Sequence, residues 1–324
     1  MLKERKYTHK SGACKIKEMR IFVTGGAGFV GRHLAKSLIK NNHSVTIFDN
    51  LSNSSENDIK PLLDKVTFVK GDITNYDDIS SCIKNSDIVI HLASKINVQQ
   101  SFANPSLTKT VNVDGTKNLL DVCREHNITN IIAASSAAVY GDCNDPKIHL
   151  SEDSNTNPIS PYGESKLEME KIIKTHSEKN DCNAVILRFF NIYGTGQSPE
   201  YAGVITKFMQ KISENEPLEI YGDGLQTRDF ISIDDVINSF NETVVKIEGK
   251  RGNVYNIASG KSISINELAS LMISLSGKDL KIIHSPSKKG DIRFSQADIS
   301  LAKKELGFFP KTDLADGIKN LIQK

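Results

Sequence analysis

The apolar stretch Ile21-Phe22-Val23 runs without a break into Thr24-Gly25-Gly26-Ala27-Gly28-Phe29-Val30-Gly31. That order predicts a buried strand, a tight glycine turn and a helix folded back onto the strand. The glycines serve separate ends: the sharp turn, close approach of backbone to an anion, and close packing of helix on strand. The helix N-terminus then presents free N–H groups and the positive end of its dipole. Helical apolar spacing follows from Leu34 to Ile39, then a second strand, Val45–Phe48, that ends in Asp49. A carboxylate about 20 residues beyond such a turn is placed to accept hydrogen bonds from an adenosine ribose. The segment therefore reads as a dinucleotide site, the alternatives being a glycine turn used for packing alone and Asp49 as a solvated turn former. Asp49 would repel a 2′-phosphate and no arginine stands between Asn50 and Lys60, so NAD is expected rather than NADP.

Strand and helix signals go on alternating. Strands are expected at Arg20–Thr24, Val45–Phe48, Val66–Val69, Ile88–His91, Ile131–Ala134 and Ala184–Leu187, with helices at Thr108–His126 and Tyr162–Ser177 among those between them. This pattern predicts an α/β fold, a doubly wound parallel sheet of the Rossmann type with ligands at the carboxyl ends of its strands. After about residue 191, glycine, proline and charge become frequent, and Pro199, Pro217, Pro286 and Pro310 interrupt the periodicity. Residues 19–190 are therefore expected to form the NAD-binding domain, and residues 191–324 a smaller α/β substrate lobe packed on it as one body.

Composition removes several function classes. A net charge of +2 on 324 residues gives no basis for nucleic-acid or anionic-membrane binding. No apolar run approaches the ~18 residues of a membrane span. The cysteines Cys14, Cys82, Cys123, Cys143 and Cys182 are scattered. Without C-x-x-C pairs they speak against a zinc site or disulfide scaffold and for a reducing, cytoplasmic setting. Residues 1–18 carry six Lys/Arg against two Glu but no apolar core. They read as an N-terminal extension or a misplaced start, or alternatively as a short basic surface helix.

Tyr162-Gly163-Glu164-Ser165-Lys166 opens a helix after Ser160-Pro161. Residues four apart share a helix face, so phenol and ammonium can enter one cleft, where the ammonium favours the phenolate and makes Tyr162 a base. Upstream, Ala133-Ala134-Ser135-Ser136-Ala137-Ala138-Val139-Tyr140-Gly141 ends a strand among small residues. Ser136 could bind a substrate hydroxyl and relay its proton, or Ser135 and Ser136 could be turn residues.

Together, Thr24–Gly31, Asp49, Gly71-Asp72, His91–Ala93, Asn112, Ser136, Tyr162, Lys166, Arg188–Gly194 and Gln226–Ile231 resemble the extended short-chain dehydrogenases/reductases. Within that family the sequence is most similar to the NAD-dependent UDP-glucose and UDP-N-acetylglucosamine 4-epimerases, from Met19 to the C-terminus. The resemblance implies NAD contacts at Gly25, Gly28, Phe29, Val30, Gly31, Asp49, Asn50, Asp72, Ile73, Leu92, Ala93 and Asn112, with Tyr162 and Lys166 beside the nicotinamide ribose. It implies catalysis by Ser136, Tyr162 and Lys166 through a transient 4-keto sugar, with no net redox. It also implies a homodimer built on the helices Thr108–His126 and Tyr162–Ser177. The related 4,6-dehydratases carry an Asp-Glu pair after the Ser/Thr. Here Ala137-Ala138 stand instead, and methyl groups cannot act as acid or base.

For the UDP-sugar the resemblance points to Ser136 and Tyr162 at the sugar, Asn191 near the phosphates and Tyr221 at the base. Arg228 would clamp the diphosphate through its fork of donors, or else pair with Asp229 or Asp234. Lys288 stands where arginine is common, and Arg293 could share its role. Ser295, where relatives with narrow pockets carry a bulky residue, leaves room for an N-acetyl group. Two rival readings are a GDP- or dTDP-sugar epimerase or reductase, and a non-catalytic NAD-binding regulator or scaffold.

Overall fold

A computed structural model describes residues 17–143, 145–197 and 203–323. Cys14, Pro199 and most of the expected N-terminal extension lie outside these residues. The strands in chain order are β1 (Arg20–Thr24), β2 (Ser44–Asp49), β3 (Thr67–Lys70), β4 (Ile88–His91), β5 (Asn130–Ser136), β6 (Asn183–Phe189), β7 (Asn191–Tyr193), β8 (Leu218–Tyr221), β9 (Thr227–Ser232), β10 (Arg251–Ile257), β11 (Ser262–Ser264) and β12 (Ile282–Ser285). Seven of them form one parallel sheet in the order β10-β6-β5-β4-β1-β2-β3.

Strand order reverses between β1 and β4, and the crevice beyond their carboxyl ends is where a doubly wound sheet binds its ligand. The central strands are buried on both faces, which explains their continuous apolar runs: Ile88–His91 is buried at every position. Helices Phe29–Lys40 and Ile233–Lys246 cover one face through Leu34, Leu38, Val236 and Phe240. Helices Gly115–Glu125 and Pro161–Asn180 cover the other through Leu119, Cys123, Met169 and Ile173. Phe22 and Phe48 meet there with ring centroids 5.6 Å apart and are buried, each worth about 1.5–3 kcal/mol.

Two departures from the sequence expectation concern the path of the chain. First, β10 and the helix Ile233–Lys246 belong to the seven-stranded sheet and its cover, although both follow residue 191. The second lobe consists of β8 with β12, the helices Val204–Ser213, Ile265–Ser276 and Leu314–Ile322, and a core of Phe208, Leu218, Ile220, Leu268, Met272 and Ile318. Second, the expected helix Thr108–His126 is Pro105–Lys109 and Gly115–Glu125 joined by a wider π-type turn over Thr110–Asp114. Such turns redirect side chains within a helix, and Asn112 lies in this one.

The expected helix from Tyr162 runs Pro161–Asn180. Ser160 caps it by accepting from Gly163 N at 3.1 Å, with Pro161 at the first helical position. No helix among the described residues is long and apolar enough to cross a membrane.

Candidate active site

The carboxyl ends of the strands open on a cleft of about 1290 Å³ between sheet and second lobe, lined from Gly25 to Ser295. Gly25 has φ +67°, and a Cβ there would lie 2.6 Å from Ala93 N; on Gly31 it would lie 2.5 Å from Gly26 Cα. Gly28 differs: its Cβ would meet only Gly25 O at 3.2 Å, so its free side faces the cleft. The helix beginning at Phe29 has no side-chain cap and no acid in its first turn. Its first N–H groups are therefore available to an anion. A pyrophosphate fits this cradle.

The switch point is pinned from below by His91. Thr24 Oγ1 accepts from Leu92 N and Ala93 N, both at 3.2 Å, and lies 2.7 Å from His91 Nδ1. Its hydrogen therefore goes to Nδ1, and His91 donates from Nε2 to Thr116 Oγ1 at 3.0 Å. Burial pulls His91 down to about 3, so the ring is neutral.

Phe29, Val30, Asn50, Ile73, Leu92 and Ala93 line the cleft, as does Asp49. Asp49 accepts from Ala27 N at 3.0 Å and Leu51 N at 2.8 Å, and burial raises its pKa against those bonds. Two further residues expected at the cofactor are engaged by neighbouring side chains and backbone. Asp72 accepts from Thr74 and from Asn50 Nδ2 at 2.9 Å, so it holds a cleft residue without lining the cleft. Asn112 is buried with its amide spent: it accepts from Ser94 Oγ and Lys95 N and donates to Lys95 O and Ser165 Oγ, at 2.7–3.0 Å. It ties the loop after β4 to the helix of Tyr162. Its place in the π-type turn, which spacing does not reveal, turns it to this task.

An arginine that the sequence reading passed over stands in the cofactor end. Arg32, on the helix after the glycine turn, pairs with Asp58 at 3.0 Å and donates to Ala27 O and Gly196 O. Four residues beyond Gly28, it shares that glycine's helix face, which is the signal that could have found it. Asp58 and two carbonyls already engage its guanidinium, so its presence does not favour a 2′-phosphate.

Ser136, Tyr162 and Lys166 meet at the ends of β5 and the Pro161–Asn180 helix, and all three line the cleft. Tyr162 and Lys166 are 8% and 3% exposed. Ser136 Oγ accepts from Ala138 N at 3.2 Å, and its hydroxyl acts on the Tyr162 phenol by favouring the phenolate. Lys166 Nζ donates to Ala134 O at 2.9 Å. The Tyr162 pKa departs from the expected direction: burial raises the phenol, and only Ser136 pulls against it. Burial also pulls Lys166 down to about 8, opposed by Glu170 one turn further on. Water exclusion thus outweighs the Tyr–Lys spacing in setting both groups. Ala137 and Ala138 line the same wall.

At the substrate end, Asn191, Tyr221, Arg228, Lys288 and Ser295 line the cleft. Tyr221 donates to Glu219 Oε2 at 2.9 Å, and Lys288 Nζ lies 3.3 Å above its ring centroid. Arg228 is paired with Asp291 rather than with Asp229 or Asp234. Asp229 is buried among donors from Ser259, Gly260 and Ala297, and burial raises it to about 6. Arg293 is not in the cleft wall: its fork closes on Asp223 at 2.7 and 2.9 Å. A carboxylate in the adjoining turn gives that side chain a bidentate partner outside the site.

A doubly wound sheet whose switch point carries a glycine cradle, beside a buried Ser-Tyr-Lys set, defines an enzyme of the extended short-chain dehydrogenase/reductase type. The chain belongs to the NAD dependent epimerase/dehydratase family, whose model matches residues 21–258. It is 39% identical over 305 residues to a putative UDP-glucose 4-epimerase of Methanocaldococcus jannaschii, covering 93% of this chain and 97% of the relative. Among solved structures it is similar to the UDP-glucose 4-epimerase of Thermotoga maritima with UDP-glucose, at TM-score 0.89 and 30% identity, covering 94% of this chain and 98% of that one. It is also similar to the UDP-N-acetylglucosamine 4-epimerase of Methanobrevibacter ruminantium in complex with UDP-N-acetylmuramic acid, at TM-score 0.87 and 34% identity, covering 95% and 98%.

Proposed function

We propose that the protein interconverts the C4 epimers of a UDP-sugar, with UDP-glucose and UDP-galactose, and their N-acetylated counterparts, as substrates. One observation carries the reading: Ser136, Tyr162 and Lys166 line one cleft wall at the mouth of β5 with alanines, not carboxylates, beside them. That set can take one proton from a hydroxyl and give it back, but it offers no second acid or base for elimination.

Tyr162 in its phenolate form accepts the O4 proton while Ser136 holds the same oxygen in place. Lys166 holds the ribose beside the phenol, and the N–H groups after Gly28 hold the pyrophosphate. NAD, when bound, supplies a hydride acceptor that also returns the hydride, so the reaction is redox-neutral. Arg228 and Lys288 anchor the diphosphate and Tyr221 the base, leaving the sugar free to present either face. Ser295, small and 4% exposed in the cleft wall, makes room for an acetamido group.

The test is Tyr162→Phe. The variant should keep its fold and its NAD and lose interconversion of UDP-glucose and UDP-galactose by about 10²-fold or more. Unchanged turnover would remove Tyr162 from the chemistry.

A further inference from the structure

The Ser-Tyr-Lys set does not hold itself in place. Glu170, 1% exposed, lies one turn beyond Lys166 on the same helix. Its Oε1 accepts from Ser135 Oγ at 2.5 Å and from Arg188 Nε at 2.9 Å, and its Oε2 accepts from Arg188 Nη2 at 2.7 Å. Arg188, 3% exposed, faces Ser135 in the β5–β6 register, and its guanidinium stacks 4.8 Å over the Tyr140 ring. One buried carboxylate therefore joins three elements: the helix that carries Tyr162 and Lys166, the strand end that carries Ser136, and β6, which leads into Asn191.

We propose that Glu170 and Arg188 are a positioning pair, which fixes the Ser136 hydroxyl against the Tyr162 phenol by clamping the end of β5 to the Pro161–Asn180 helix. The proposal rests on the proton-transfer role assigned above to Tyr162. The pair touches neither substrate nor cofactor, since neither residue lines the cleft. A buried ion pair is weak support for stability, because desolvation offsets its Coulombic gain, whereas its forked hydrogen bonds specify geometry. Here the geometry specified is that of a proton transfer, where an error of about 1 Å costs up to 10²-fold in rate. The pair has an electrostatic side as well. Glu170, on the same helix, favours the Lys166 ammonium, and Lys166 in turn adds to the burial that keeps His91 of β4 neutral.

The experiment compares wild type, Glu170→Gln, and the double variant Glu170→Gln/Arg188→Met, which removes both charges of the pair. Two readouts are taken: kcat and KM with UDP-galactose, and the Tyr162 titration, read as the ultraviolet phenolate difference against Tyr162→Phe. In both variants kcat should fall about tenfold or more at nearly unchanged KM. The phenol should titrate at higher pH, because a displaced Ser136 no longer stabilises the phenolate. The ultraviolet readout needs no substrate, so a wild-type protein inactive on UDP-sugars would refute the functional reading and leave the positioning claim testable. A double variant with wild-type kcat and an unmoved Tyr162 titration overturns the proposal. A double variant that does not fold also overturns it, because the pair would then serve the fold rather than the site.

Discussion

Alanine at Gly28 and alanine at Gly31 should fail in opposite ways. At Gly31 a Cβ would sit 2.5 Å from Gly26 Cα and 2.6 Å from Gly25 O. Carbon atoms prefer about 3.5–4.0 Å, so backbone must move by about 1 Å and the helix must lift off β1. Overpacking of this kind costs about 1–3 kcal/mol, which thermal or urea unfolding would register directly. At Gly28 the backbone is ordinary for an L residue, with φ −69° and ψ 175°, and the one contact is Gly25 O at 3.2 Å. Alanine there relaxes by a few tenths of an ångström and gains about 0.4–1 kcal/mol by restricting the unfolded chain. The methyl group, however, stands where the open helix N-terminus would meet a pyrophosphate. Gly28→Ala should therefore melt at or above wild type yet lose about tenfold or more in NAD affinity, read by calorimetry on stripped protein. Gly31→Ala should lose stability first. A Gly28→Ala protein that binds NAD as wild type does would refute the cradle.

Three further outcomes follow from the site. Lys166 titrates near 8 in the fold against 10.5 when solvated, so between those values the unfolded chain binds more protons and stability rises with pH. Below about pH 8 the burial cost is present in full; Lys166→Met should flatten that rise and add up to roughly 3 kcal/mol at pH 7 while abolishing turnover, as urea titrations from pH 7 to 10.5 would show. Ser295→Tyr should spare UDP-glucose and cut kcat/KM for UDP-N-acetylglucosamine by at least about tenfold, since overfilling a packed wall costs about 1–3 kcal/mol. Arg228→Lys should raise KM for UDP-sugars about tenfold by losing the bidentate fork, whereas Arg293→Ala, already turned to Asp223, should leave KM unchanged.

Features written in short stretches of sequence were legible. The glycine turn, the strands as far as β6, Asp49 and the Tyr–Lys spacing all arise from contacts close in the chain, and the structure places them together at the switch point. What depended on distant partners was not. β10 joins the sheet through pairing with β6 67–68 residues earlier, and nothing in Arg251–Ile257 announces that partner. Asn112 and Arg293 carry the right chemistry for ligands, yet a π-type turn commits one to Lys95 and Ser165 and a neighbouring carboxylate captures the other. The rise of the Tyr162 phenol likewise comes from burial by the assembled fold, which a four-residue spacing cannot report.

The most direct test of the account is incubation of the purified protein, without added cofactor, with UDP-glucose, UDP-N-acetylglucosamine and their galacto epimers, the products being followed by NMR. The account predicts that each pair approaches its epimer equilibrium with no net consumption of NAD or NADH. Stoichiometric oxidation or reduction of the cofactor, or no conversion with NAD supplied, would contradict it.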